Sequence, residues 1–172
     1  MEGGRIKNYI CKIPTIEEVS RKYDYEINNA ENDKENWTTW KEETINRIKN
    51  NSMITYHGVL NEKIICECSA AIDPSIVQNS DELVNNKTAY LFAFRTIDEY
   101  QGKGYFSILY KFMENDLKSR GYEVLTLGVE PEEIKNKLIY QKYGYTDYIK
   151  NGIEEYPDGT KIEVEYYKKI LK

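Results

Sequence analysis

Gly102-Lys103-Gly104 stands where an apolar run ending near Ile97 gives way to a helical run that starts at Tyr105. Glycine has no Cβ, so the chain can curl there and bring its N–H groups close to an anion. A helix starting just beyond adds orphan N–H groups and the positive end of its dipole. Three phosphate chemistries use turns of this kind. A mononucleotide loop needs Gly-x-x-x-x-Gly-Lys-Ser/Thr, which the chain does not contain. A dinucleotide fingerprint needs a third glycine three residues after the second, and position 107 is Ser. The turn also lies in mid-chain, after three hairpin-like strands, rather than in an opening βαβ unit. Two readings survive: a short loop whose backbone N–H groups converge on a diphosphate, or a strand-to-helix turn with no ligand.

Other reactive residues are few. His57, the only histidine, stands beside Gly58 in a strand-like run and reads as structural, although its pKa range suits a base. Cys11, Cys66 and Cys68 are odd in number and have neither disulfide-framework nor zinc spacing. Cys66 and Cys68 share one face of a strand and read as buried thiols in a reducing compartment. No metal site is expected. The net charge of −5 and the lack of a Lys/Arg block argue against nucleic acid as a partner. No apolar run approaches the length of a membrane span and no signal peptide opens the chain, so a cytoplasmic protein without a membrane partner is expected.

The elements that must position these residues follow from periodicity. The 172 residues read as one domain without repeats or linkers. Strand-like runs cover 6–13, 53–60, 63–72, 88–97, 122–129, 145–155 and 160–171. Asn61-Glu62 and Tyr156-Pro157-Asp158-Gly159 are hairpin turns. Thr15, with Glu18 three residues on, opens a first helix that fades near Asn28. Residues 28–36 read as loop, and Trp37, Trp40, Thr44, Ile45 and Ile48 mark a second helix. Phe106, Leu109, Tyr110, Met113 and Leu117 form the stripe of a third, closed by Arg120-Gly121. Pro131 opens a fourth that stops at Gly144. The order β-α-α-β-β-β-α-β-α-β-β predicts an α+β domain with a mixed sheet and helices on its faces.

Within that frame, Gln101-Gly102-Lys103-Gly104 resembles the acetyl-CoA pyrophosphate loop of the GNAT superfamily of N-acetyltransferases, Gln/Arg-x-x-Gly-x-Gly/Ala. The preceding AYLFAFRTIDEY resembles that superfamily's fourth strand. TLGVEPEEIKNKLIYQKYGY is similar to its fifth strand, fourth helix and terminal Tyr-x-Lys-x-Gly-Phe/Tyr segment, here Tyr140 to Tyr145. The likeness covers residues 88–150. The sequence departs from the pattern at Phe106, where Gly or Ala is usual, and at Glu133, where many relatives carry Asn; Asn136 is out of register for that role.

The resemblance implies the acyl-CoA N-acyltransferase fold: a mixed, mostly antiparallel seven-stranded sheet flanked by about four helices. It implies acetyl-CoA in a splay between strands four and five, its pantetheine arm bonded by the backbone of Phe94, Arg95 and Thr96 in the manner of an added strand. Gln101, Gly102, Lys103, Gly104, Tyr105, Phe106 and Ser107 would hold the diphosphate. The reaction is direct attack of a primary amine, from a small molecule or a protein, on the thioester. Tyr140 matches the family position for the general acid that protonates the leaving thiolate; a packing tyrosine is the alternative. Among Glu67, Asp73, Asp98 and Glu99, Glu67 is chosen as the base because a strand is a rigid mount. Trp37 and Trp40 share a helix face that is either core or an aromatic wall of the acceptor pocket. Many relatives pair through their last strands, which leaves a homodimer open. A catalytically silent acyl-CoA-binding domain on the same fold is the competing function.

Overall fold

The computed structural model describes residues 6–172. Thr15 caps helix α1 (Ile16–Asn29) reciprocally: its hydroxyl accepts from Glu18 N–H at 3.2 Å, and Glu18 Oε2 accepts from Thr15 N–H at 2.8 Å. Strand β1 (Tyr9–Lys12) is shorter than expected because Asn8, with φ +62°, turns the chain just before it. Helix α2 (Lys34–Lys49) begins three residues earlier than its apolar period, since Lys34-Glu35-Asn36 supply the first turn. Asn61 (φ +48°) and Glu62 (φ +68°) join β2 (Met53–Leu60) to β3 (Lys63–Ala71). Two left-handed residues in succession match the twist of a tight hairpin.

The remaining elements are β4 (Thr88–Thr96), α3 (Tyr105–Ser119), β5 (Val124–Val129), α4 (Ile134–Lys142), β6 (Asp147–Glu155) and β7 (Lys161–Ile170). Single 3-10 turns at Pro74–Ile76 and Asp98–Tyr100 interrupt the loops, which periodicity did not anticipate. Helix α4 opens at Ile134 rather than Pro131, because Glu133 takes the cap position. The order of major elements is the expected one.

All seven strands form one sheet in the order β1-β2-β3-β4-β5-β7-β6. Every neighbouring pair is antiparallel except β4–β5. On one face, Leu109, Met113 and Leu117 of α3 pack on Leu91, Leu125 and Leu127 in a fully buried core. The other face carries Tyr90, Val164 and Tyr166 under the 73–87 segment, where Leu83 is fully buried. That face also receives α1, through Lys22 and Glu67 of β3. Among the described residues no helix is long and apolar enough to cross a membrane.

Candidate active site

Strands β4 and β5 part company halfway along. Their parallel pairing runs from Thr88–Val124 to Leu91–Leu127 and stops. Beyond it β5 stays with β7, where Val129 faces Glu165, and β4 stays with β3, where Thr96 faces Cys66. The backbone of residues 92–96 therefore has no strand on its β5 side, and a wedge opens. At that point β4 is bulged. Ser69 faces Phe92 and Glu67 faces Arg95, so Cys68 alone opposes both Ala93 and Phe94. Ala93 takes φ +55°, a left-handed conformation that is rare for a residue with a Cβ. The extra residue flips the alternation of the strand. Tyr90 and Phe92 point to the face of α1 and α2, while Phe94 turns to the α3 face, against Phe106 at 5.6 Å and Tyr140 at 5.5 Å.

The glycine turn lies at the mouth of this wedge. Gly102 (φ +70°) and Gly104 (φ +85°) are both left-handed, and a Cβ at either would meet nothing within 4 Å. Gly104 is the N-cap of α3 and offers no side chain to cap it. The first intrahelical bond is Ile108 N–H to Gly104 O at 3.3 Å. Among the described residues, the N–H groups of residues 102–107 have no acceptor within the chain. Six donors in succession, with open space before them, fit an anionic diphosphate.

The side chains around the turn have other employment. Gln101 Nε2 donates to Thr96 O and to Asp98 Oδ1, both at 3.1 Å, and so shapes the loop. Lys103 Nζ donates to Glu99 O at 2.7 Å. Arg95 is paired with Glu26 at 2.8 Å, its guanidinium 5.1 Å from the Trp37 ring, on the α1–α2 side of the sheet. Phe106 points inward, against Phe94 and Tyr143, which leaves its N–H outward. Ser107 Oγ bonds the Tyr143 hydroxyl at 2.9 Å, and Tyr9 donates to Tyr105 O at the same distance.

Tyr140, on α4, reaches the wedge from the α3 side. Burial, reinforced by the nearby Glu133 charge, pushes its hydroxyl up to about 12. It therefore remains a proton donor throughout the ordinary pH range. Glu133 itself stands at the N-cap position of α4, without a side-chain capping bond, and accepts from the Asn136 side chain.

On the opposite face a cleft of about 830 Å³ runs from the bulge to the β6–β7 hairpin. Trp37, Trp40, Tyr23, Phe92 and Tyr156 form its apolar walls. Trp37 meets Trp40 edge to face at 5.3 Å, and Trp40 meets Tyr156 at 5.5 Å. The two tryptophans are thus half-buried wall rather than enclosed core. Glu67 lines the cleft but is engaged by Lys22 Nζ at 2.8 Å. His57, which faces Glu67 in the β2–β3 ladder, is 2 % exposed, and burial, helped by the Lys22 charge, lowers it to about 4. Asp98 is bound up with the Gln101 side chain, and Asp73 caps the 3-10 turn that follows it.

Of the residues expected at the site, Phe94 and Tyr140 meet on the α3 face of the wedge, while Glu67, Trp37, Trp40 and Arg95 line the cleft on the other face. Sequence reasoning missed the bulge at Ala93, and it missed Tyr90, Glu154, Tyr156 and Tyr166. The hairpin turn after Glu155 was the available signal, because it folds β6 and β7 back toward the tryptophan helix.

A mixed sheet parted beside a bulged fourth strand, with a glycine turn feeding a helix at the opening, defines the N-acyltransferase class of enzyme. The family follows from comparison: the model of the Acetyltransferase (GNAT) family matches residues 14–145, and the chain belongs to that family. No curated protein sequence matches the chain. Among solved structures, the ribosomal-protein-S18-alanine N-acetyltransferase of Escherichia coli is 16% identical with a TM-score of 0.68, over 95% of this chain and 94% of that one. A probable acetyltransferase of Staphylococcus epidermidis is 9% identical with a TM-score of 0.69, covering 95% and 99%. NAA60 of Arabidopsis thaliana, solved in complex with a bisubstrate analogue, is 10% identical with a TM-score of 0.68, again covering 95% and 99%. At these identities the likeness is one of fold; the family match is what makes the chain an acetyl-transferring enzyme.

Proposed function

We propose that acetyl-CoA lies along the free edge of β4 and donates its acetyl group to an amine that enters from the aromatic cleft. The observation that carries this reading is the run of unpaired N–H groups from Gly102 to Ser107 at the mouth of the wedge. The backbone of Phe94, Arg95 and Thr96 supplies strand-like donors and acceptors to the pantetheine arm. Arg95 and Lys103 contribute through backbone, since their side chains are spoken for. Acetyl-CoA supplies an activated thioester.

The chain's residues do the rest. A main-chain N–H of the bulged segment meets the charge that develops on the thioester oxygen. Tyr140 gives a proton to the departing sulfur. A thiol of pKa about 8.5 leaves readily, so this help is modest in size. The acceptor is a primary amine of a small molecule or a peptide. The free thiols Cys11, Cys66 and Cys68 suit a reducing, cytoplasmic setting.

Calorimetric titration with acetyl-CoA tests the site. Gly104→Ala meets no steric neighbour but places a Cβ on the ligand side of a left-handed turn. It is expected to fold with a stability loss of about 1 kcal/mol and to weaken acetyl-CoA binding about tenfold or more. Tyr140→Phe is expected to keep acetyl-CoA affinity and to lose on the order of tenfold in kcat. A wild-type chain that ignores both acetyl-CoA and CoA ends the proposal.

A further inference from the structure

Four carboxylates line the acceptor cleft: Glu43, Glu67, Glu154 and Glu155. Three face a cation. Glu43 lies 3.3 Å from Arg47, Glu67 lies 2.8 Å from Lys22, and Glu155 lies 3.9 Å from Lys161. Glu154 has no cationic partner among the described residues. It is held by two neutral phenols that converge on the same oxygen: Tyr90 donates to Glu154 Oε1 at 3.0 Å, and Tyr166 does so at 2.9 Å. Oε2 has no hydrogen-bond partner among the described residues.

The direction of these bonds is fixed. Asn79 Nδ2 donates to the Tyr166 hydroxyl at 3.1 Å, so that hydroxyl must aim its own proton at Glu154. Burial raises both phenols above their ordinary range, and the Glu154 charge adds to the rise. They stay protonated and stay donors. Nature has thus oriented a charged carboxylate without neutralising it.

Its position is the second half of the argument. The Tyr90 hydroxyl lies 3.0 Å from where a Cβ at Gly128 would stand, and the Tyr166 ring lies 3.1 Å from the same point. Gly128 directly follows Leu127, the last residue of β5 paired with β4. The two phenols, and the carboxylate they grip, therefore sit at the opening of the wedge. Only a glycine at 128 leaves them room there.

We propose that Glu154 is the residue that receives the acceptor's ammonium group and takes its proton, and that the cleft selects a cationic primary amine carried on an apolar body. This deepens the acetyltransferase reading and rests on it. A free alkylamine with a pKa of about 10 arrives protonated and cannot attack until it loses a proton. Oε2 accepts that proton. The neutral nitrogen then forms the C–N bond at the thioester carbon as the C–S bond breaks, and the sulfur takes a proton from Tyr140. The nitrogen's second proton restores the Tyr140 phenol, and Glu154 releases the first to bulk water. Of the two protons the ammonium gives up, one ends on the CoA thiol and one in bulk water. The apolar body lies against Trp37, Trp40, Phe92 and Tyr156.

Glu154→Gln tests this, because the amide oxygen still accepts from both phenols. The probes are phenethylamine and its β,β-difluoro analogue, assayed at mildly alkaline pH, where the fluorines leave the second amine largely uncharged. E154Q is expected to lower kcat/KM for phenethylamine by about 100-fold or more, to lower it far less for the fluorinated amine, and to leave acetyl-CoA affinity and melting temperature unchanged. Tyr166→Phe, which keeps the carboxylate but loosens it, is expected to show a smaller loss of about fivefold in the same direction. Equal losses for the two amines, or no loss for either, overturn the assignment to Glu154. A wild-type enzyme that binds acetyl-CoA but acetylates neither probe overturns the acceptor class. Failure to bind acetyl-CoA, read in the same calorimeter, strikes instead at the acetyltransferase site itself.

Discussion

His57 on β2 feels the charges of Lys22 and Glu18 on α1 and of Lys12 on β1. It is 2 % exposed, and its folded-state pKa falls from the ordinary 6.5 to about 4. Above the unfolded value both states are neutral and the residue makes no difference to pH dependence. As pH falls from 6.5 toward 4, the unfolded chain takes up a proton that the folded chain refuses. Stability is then lost by about 3 kcal/mol over that window. Urea unfolding of the wild type and His57→Asn across the same range should show the wild type losing more by that amount. A lone strand histidine read as structural is thus a histidine kept neutral by burial. Other single residues differ in how legible they are. Gly102 and Gly104 announce a special backbone because only their lack of a Cβ makes a left-handed turn easy. Glu154 announces nothing. It is one of 29 acidic residues, and its role depends on two tyrosines 64 and 12 positions away. Glu67 looked the better base from its rigid mount, yet the Lys22 ammonium that holds it comes from a helix 45 residues upstream.

Strand β4 shows the same limit at the scale of an element. Its run Leu91-Phe92-Ala93-Phe94 reads as a plain strand buried on both faces, but burial holds only over Thr88–Leu91: Phe92 and Phe94 are half-buried and Ala93 is exposed. Nothing in four apolar residues marks the one that will turn left-handed. Asn or Gly would have, but the chain places Ala there. The bulge belongs to the sheet rather than to the local sequence: it falls where β4 keeps its pairing with β3 but has lost its pairing with β5. Left-handed alanine costs about 1 kcal/mol, and a β-branched residue costs more. Ala93 is exposed, so a larger side chain meets no packing barrier and any penalty comes from the backbone. Ala93→Val should lower unfolding free energy by about 2 kcal/mol and reduce turnover more than tenfold as Phe94 loses its direction. Ala93→Gly should keep activity and match or exceed wild-type stability, as read by denaturant titration. Helix starts were also misplaced for a physical reason. Apolar period locates the packed turns of α2, whereas its first turn is built from Lys34, Glu35 and Asn36, which carry no period.

Across the whole molecule the aromatic cleft is bounded by contacts between distant parts of the chain. Asn36 on α2 donates to Asp158 Oδ2 and accepts from Asp158 N–H, each at 3.0 Å, and Trp40 rests on Tyr156 just beneath. The residue pair is 122 positions apart, which is why no local pattern foretold it. Asn36→Ala should cost about 2 kcal/mol of stability and raise KM for the amine while acetyl-CoA affinity, measured by calorimetry, holds. The element order, by contrast, was readable throughout, because period and turn chemistry are local properties. The sheet's weakest join is local to neither. Among the described residues its only parallel seam consists of four facing residue pairs, from Thr88–Val124 to Leu91–Leu127, and the two strands then diverge. A donor whose arm lies along β4 acts as a guest strand in that gap. At a hundred times its dissociation constant such a ligand adds about 2.7 kcal/mol to folding. The enzyme's resistance to heat and proteolysis would then rise and fall with the charge of the acetyl pool, so that abundance of the catalyst becomes coupled to abundance of its fuel.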